Sequence, residues 1–149
     1  MDKQKIAHLQ AFLNDKLAAL RSEETKIRSN MASWVALTDL TKRLQEEFPD
    51  LKDPIDLSAA KANDQLDCSK LLMHHDIYIV QVHANMKENY KQILKLMDEA
   101  QAAVDQLKKI DKHNEKLGIV TDVLKGLEKP RTDWEATIKR LANMIQTLG

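Results

Sequence analysis

A chain of 149 residues is the size of one ordinary domain, and its 23 basic and 23 acidic side chains cancel to zero net charge. The cancellation is also local, with 9 basic and 10 acidic residues in 1–56 and 14 and 13 in the remainder, so neither part has the cationic excess that nucleic acid or an anionic membrane requires. Three Gly, three Pro and 4% aromatic residues, against 31% charged ones, argue against a turn-rich sheet fold and suit long helices facing solvent.

Residues 1–48 hold neither Gly nor Pro, and Ile6, Leu13, Leu20, Ile27 and Trp34 recur every seven residues. Leu17 and Met31 stand four residues after seam positions. This heptad-like stripe over about five repeats predicts a helix, about 3–48, lying along another helix. Phe48-Pro49 is the expected stop, because proline lacks the next backbone donor and pushes the residue before it out of helical geometry. The two-proline stretch PDLKDPID, 49–56, reads as a connector, with Asp56 or Ser58 available to cap the next helix.

A second helix is expected over about 57–111. Leu72, Ile79, Met86, Ile93, Ala100 and Leu107 form one seven-residue series, with Tyr90, Met97 and Val104 as its companion. A further series through Leu96, Ala103, Ile110, Leu117 and Leu124 drifts onto the neighbouring face, as a 3.6-residue helix does against a strict heptad. DKHNE, 111–115, is the expected break, Asn114 being a weak helix former. A third helix then covers about 115–128, and Lys129-Pro130 ends it. Thr132 and Glu135 fit a capping box opening a last helix over 131–148, which carries Trp134, Ile138, Leu141, Ile145 and Leu148 at spacings of three or four. The expected fold is therefore all-α, a single domain over 1–149: an elongated antiparallel helical hairpin or bundle with coiled-coil character.

The candidates for chemistry fail on spacing. LLMHHDIYIVQVHANM, 71–86, gathers His74, His75, Asp76 and His83, but four residues after His74, His75 and Asp76 stand Tyr78, Ile79 and Val80, which supply no second ligand on the same face. Asp76 and His83 are about 10.5 Å apart along a helix, too far for one ion. As a strand the run would need burial on both faces, and its only companion would be LGIVTDVL, 117–124; continuity of the heptad favours helix. Cys68 has no cysteine to pair with, and its nearest neighbours, Asp67 and Ser69, give no electropositive setting for a thiolate. The three glycines form no phosphate loop, and Asp50, Asp53 and Asp56 lack the glycine and terminal glutamate of a calcium loop.

The sequence thus leads to a non-enzymatic coiled-coil subunit of a multi-protein complex, a scaffold, spacer or tether of cytoskeletal, spindle or vesicle-tethering type. Its partner-binding seam is expected at Ile6, Leu13, Leu20, Ile27 and Trp34 in the first helix and Leu72, Ile79, Met86, Ile93 and Leu107 in the second. Other helical subunits are the expected partners, in a hetero-complex rather than a homo-oligomer, with no catalytic residue, cofactor, metal or direct nucleic-acid contact. The lone cysteine, the N-terminus MDKQKIAHLQAF and the lack of an apolar run of about 20 residues point to the cytoplasm, with nucleus and cytoskeleton as variants, and to no transmembrane segment. The competing reading is a compact four-helix bundle holding a peptide, lipid or small apolar ligand, which requires the second helix to fold back near 74–76 or 85–89.

Overall fold

The computed structural model describes residues 2–47 and 63–148, apart from the side chains at 37, 38, 40, 41, 43–45, 47, 63–78 and 148. The expected connector 49–56, the Phe48-Pro49 stop and the start of the second helix at 57 lie outside the described residues. Within them the protein is all-α, with no strand: α1 (Asp2–Glu47), α2 (Asn63–Ile110), α3 (Glu115–Gly126) and α4 (Glu128–Leu148). α2 runs without a break through 74–76 and 85–89. The β-branched run around Ile77–Val82 is helical, since its propensity cost of tenths of a kcal/mol per residue is small against packing. LGIVTDVL likewise lies in α3.

Packing divides the chain into two compact units, Met1–Ile27 with Lys87–Thr137 and Arg28–Met86 with Ile138–Gly149. In the first unit the amino-terminal part of α1 lies antiparallel to the carboxy-terminal part of α2. An ion pair joins Lys16 to Glu99, and Asn89 Nδ2 donates to Glu23 Oε2 at 2.8 Å, so residue numbers rise in one helix as they fall in the other. Leu9, Leu13, Leu17, Leu20 and Ile27 of α1 are buried, as are Ile93, Ala100, Ala103, Val104 and Leu107 of α2 and Val120, Leu124, Leu127 and Trp134 around α3 and α4. Each large member of that set contributes about 1.5–3 kcal/mol by leaving water. The second unit buries Trp34, Ile79, Val82, Met86 and Leu141, while Val35 and Val80, one residue beyond buried positions, stay half-exposed.

The two turns at the carboxy-terminal side have separate causes. After Ile110 the chain turns through Asp111–Asn114, and Asn114, in an extended conformation at φ −63°, ψ 134°, caps α3 by accepting from Lys116 N at 2.9 Å. Asn114 Nδ2 in turn donates to Asp111 Oδ2 at 2.9 Å, so the side chain expected to weaken a helix starts one. The α3–α4 junction is only one residue long. Pro130 has no N–H to offer the Gly126 carbonyl four residues back, and its ring crowds that carbonyl. The ladder breaks there: Leu127 N bonds back to Leu124 O at 3.3 Å, and Arg131 N resumes the regular pattern to Leu127 O at 2.9 Å.

The last helix therefore opens earlier than its capping-box reading, with Pro130 inside its first turn, where a missing N–H costs nothing. Thr132 is already inside α4, its hydroxyl donating to Glu128 O at 3.2 Å, and Glu135 turns to Arg131 and Tyr90 instead of capping. The buried residues keep step across this junction. Val120, Leu127, Trp134 and Leu141 recur every seven residues, so α3 and α4 present one continuous apolar stripe despite the break.

Candidate partner groove between α2 and the α3–α4 junction

Eight of the ten seam residues are taken up by the chain's own packing. Leu13, Ile27, Met86, Ile93 and Leu107 are 0% exposed; Leu20, Trp34 and Ile79 are buried and Ile6 is half-buried. The Leu72 side chain lies outside the described residues. A partner helix reaching this stripe would have to displace one of the chain's own helices, so the surface open to a partner as the fold stands must be sought between the helices. Among the described residues no group of three His, Cys, Asp or Glu comes together; the side chains of Cys68, His74, His75 and Asp76 lie outside that set.

Further polar clasps close the helix interfaces of the first unit. On the α1–α2 face the Lys16 ammonium pairs with Glu99 and lies 4.9 Å from the centre of the Phe12 ring. Donation from Lys16 holds the Glu99 carboxyl below the usual glutamate range, desolvation opposing it. Where α3 begins, Gln10 Nε2 donates to Asn114 Oδ1 at 3.3 Å and Lys116 Nζ donates to Asn14. Between α2 and α4, the Tyr90 hydroxyl donates to Glu135 and accepts from Arg131 Nε at 3.1 Å, and Arg131 also lies 3.6 Å from Glu135. Burial and then the bond to Glu135 raise the Tyr90 phenol above its ordinary value, because both favour the neutral form. By accepting from Arg131, the phenol oxygen raises the guanidinium above its ordinary value as well.

Beside this last clasp a groove of about 430 Å³ lies between α2 and the α3–α4 junction. Leu94, Met97 and Leu124 supply its apolar lining, and Asp98, Gln101, Thr121, Lys125, Glu128 and Arg131 its polar rim. The α2 members succeed one another at intervals of up to three residues, and Thr121, Lys125, Glu128 and Arg131 at three or four across the junction, so the walls run for about 10 Å along α2 and about 15 Å along α3 and α4. A smaller groove of about 310 Å³ on the α1–α2 face, with Leu9, Phe12, Ala102 and Ala103 in its lining, is bounded by Glu99 of the Lys16 clasp.

Met97 belongs to the companion series of the second helix, so part of the groove was visible as excess apolar width. Its other wall was not. Thr121, Lys125, Glu128 and Arg131 line up only once α3 and α4 are known to stay in phase past Pro130. Comparison with known families, with curated proteins and with solved structures finds no match for the chain.

Proposed function

We propose that the chain is a non-enzymatic helical subunit of a multi-protein complex, serving as scaffold, spacer or tether between other helical subunits. The observation that carries this reading is the continuity of α1 and α2, 46 and 48 residues without an internal break, with buried residues at heptad spacing. Such helices greatly exceed the ordinary length of about 11–12 residues in globular domains. Length of this kind offers repeated side-by-side contacts, which is what an assembly subunit needs. Assignment to a cytoskeletal, spindle or vesicle-tethering assembly, and to the cytoplasm, belongs to the same proposal.

The test is purification of the tagged full chain from its native cells under mild conditions, with mass determination of what elutes. The expected result is a heteromeric species containing a helical partner in fixed stoichiometry. Elution of the 17.1 kDa chain alone, soluble and monodisperse, would overturn the reading.

A further inference from the structure

Resting on the subunit reading, we propose that the groove between α2 and the α3–α4 junction receives an amphipathic helix of a partner protein, placing an apolar side chain on Leu94, Met97 and Leu124. The partner's flanks would carry a basic residue toward Asp98 and Glu128 and an acidic one toward Lys125. Charge is the argument for that occupant. On the α1–α2 face of this unit, Lys16 and Glu99 border the helix interface and pair across it. Around this groove, Asp98, Lys125 and Glu128 form no ion pair or side-chain hydrogen bond with one another among the described residues, although all three line the same 430 Å³ space. Opposite charges facing one groove without meeting leave both signs to a ligand that brings both.

Shape agrees with charge. Each wall is a row at close helical spacing, the pattern against which a third helix lays its own i, i+3, i+4 and i+7 side chains. The floor includes Met97, an unbranched, polarisable side chain that adapts to the residue placed on it. Residues from both sides of the α3–α4 junction form one wall, so the site depends on the two helices staying in phase across it.

The probe is a displayed library of 21-residue amphipathic helices with a fixed leucine stripe and Lys or Glu varied on its flanks, selected on the full chain. Selected peptides are expected to shift the Met97 methyl resonance and to bind the exposed-site variants Asp98→Lys and Lys125→Glu at least tenfold more weakly. Reselection on Asp98→Lys is expected to exchange Lys for Glu on one flank. The groove proposal is overturned if the library yields no binder, or if binders are indifferent to both variants or shift residues of the α1–α2 face instead. That failure is separate from failure of the subunit reading, which turns on the stoichiometric partner in the native purification.

Discussion

Leu13 is wholly enclosed between helices, so shortening it removes contacts that nothing nearby replaces. Leu13→Ala is expected to destabilise the fold by about 2–5 kcal/mol, read as a lower urea midpoint, whereas Ala18→Ser on the exposed side of α1 should leave the midpoint nearly in place. The clasps at Tyr90 and Glu99 titrate at opposite ends of the pH scale. Tyr90, raised in the folded state, contributes stability that is whole below the ordinary phenol value and is lost as pH climbs through its folded value. Glu99, lowered in the folded state, contributes above the ordinary carboxyl value and loses that contribution as pH falls through its folded value. The difference in urea midpoint between the native chain and Tyr90→Phe should therefore be largest near neutral pH and shrink above about pH 10. An unchanged difference there would show that the phenol is not held by Glu135. At this scale the apolar residues that become enclosed were legible in advance, because heptad spacing encodes burial directly. The clasps were not, since Tyr90 with Arg131 and Glu135, or Lys16 with Glu99, meet only after helix packing sets their register.

The α3–α4 junction shows how a local rule is satisfied at one residue and felt at another. Pro130 was legible as a breaker, but the break falls near the carbonyl it cannot serve, at Gly126, and the proline itself sits in the first turn of the next helix. Gly126 adopts no left-handed conformation, and a Cβ added there meets nothing within 4 Å. Gly126→Ala is accordingly expected to stabilise the protein by about 0.5–1 kcal/mol, seen as a higher urea midpoint, by reducing the freedom of the unfolded chain. At the other turn, Asn114→Ala removes the acceptor for Lys116 N and should cost about 1 kcal/mol, a loss that Asn114→Ser, whose hydroxyl offers the same acceptor, largely avoids. Helix identity and approximate limits were readable from periodicity and from the scarcity of Gly and Pro. Hydrogen-bond satisfaction at the ends was readable only in part, because Asn, Thr and Glu each have several possible backbone partners and the fold chooses among them.

For the whole molecule, the partner-binding seam read from the sequence and the surface proposed for its partner are different sets of residues, although Met97 and Leu124 of the groove belong to the flanking seven-residue series. Heptad positions such as Leu20, Ile93 and Trp134 hold the chain's own helices together, and the partner groove is built from the neighbouring rows. Sequence alone has no means of separating the two, since an apolar seam has the same spacing whether the helix that covers it comes from the same chain or another. The proposed function consequently predicts two separable classes of variant. Core changes such as Leu13→Ala lower stability and reduce assembly only in proportion to folding, whereas Asp98→Lys and Lys125→Glu leave stability unchanged within about 0.5 kcal/mol and still reduce partner recovery. Identical losses of stability and recovery in both classes would tell against a dedicated docking surface.

The phase carried from Val120 through Leu127 and Trp134 to Leu141 constrains how this protein can change length. One residue inserted after Leu127 rotates everything downstream by about 100° about the helix axis, turning Trp134 and Leu141 toward water, whereas seven inserted residues return them to within about 20° of their present direction. Point substitutions on the outer face are free to accumulate, but insertions and deletions here are quantised. Among relatives that keep this fold, length differences in the α3–α4 region should come in steps of about three, four or seven residues, a ruler written into the chain by its own packing.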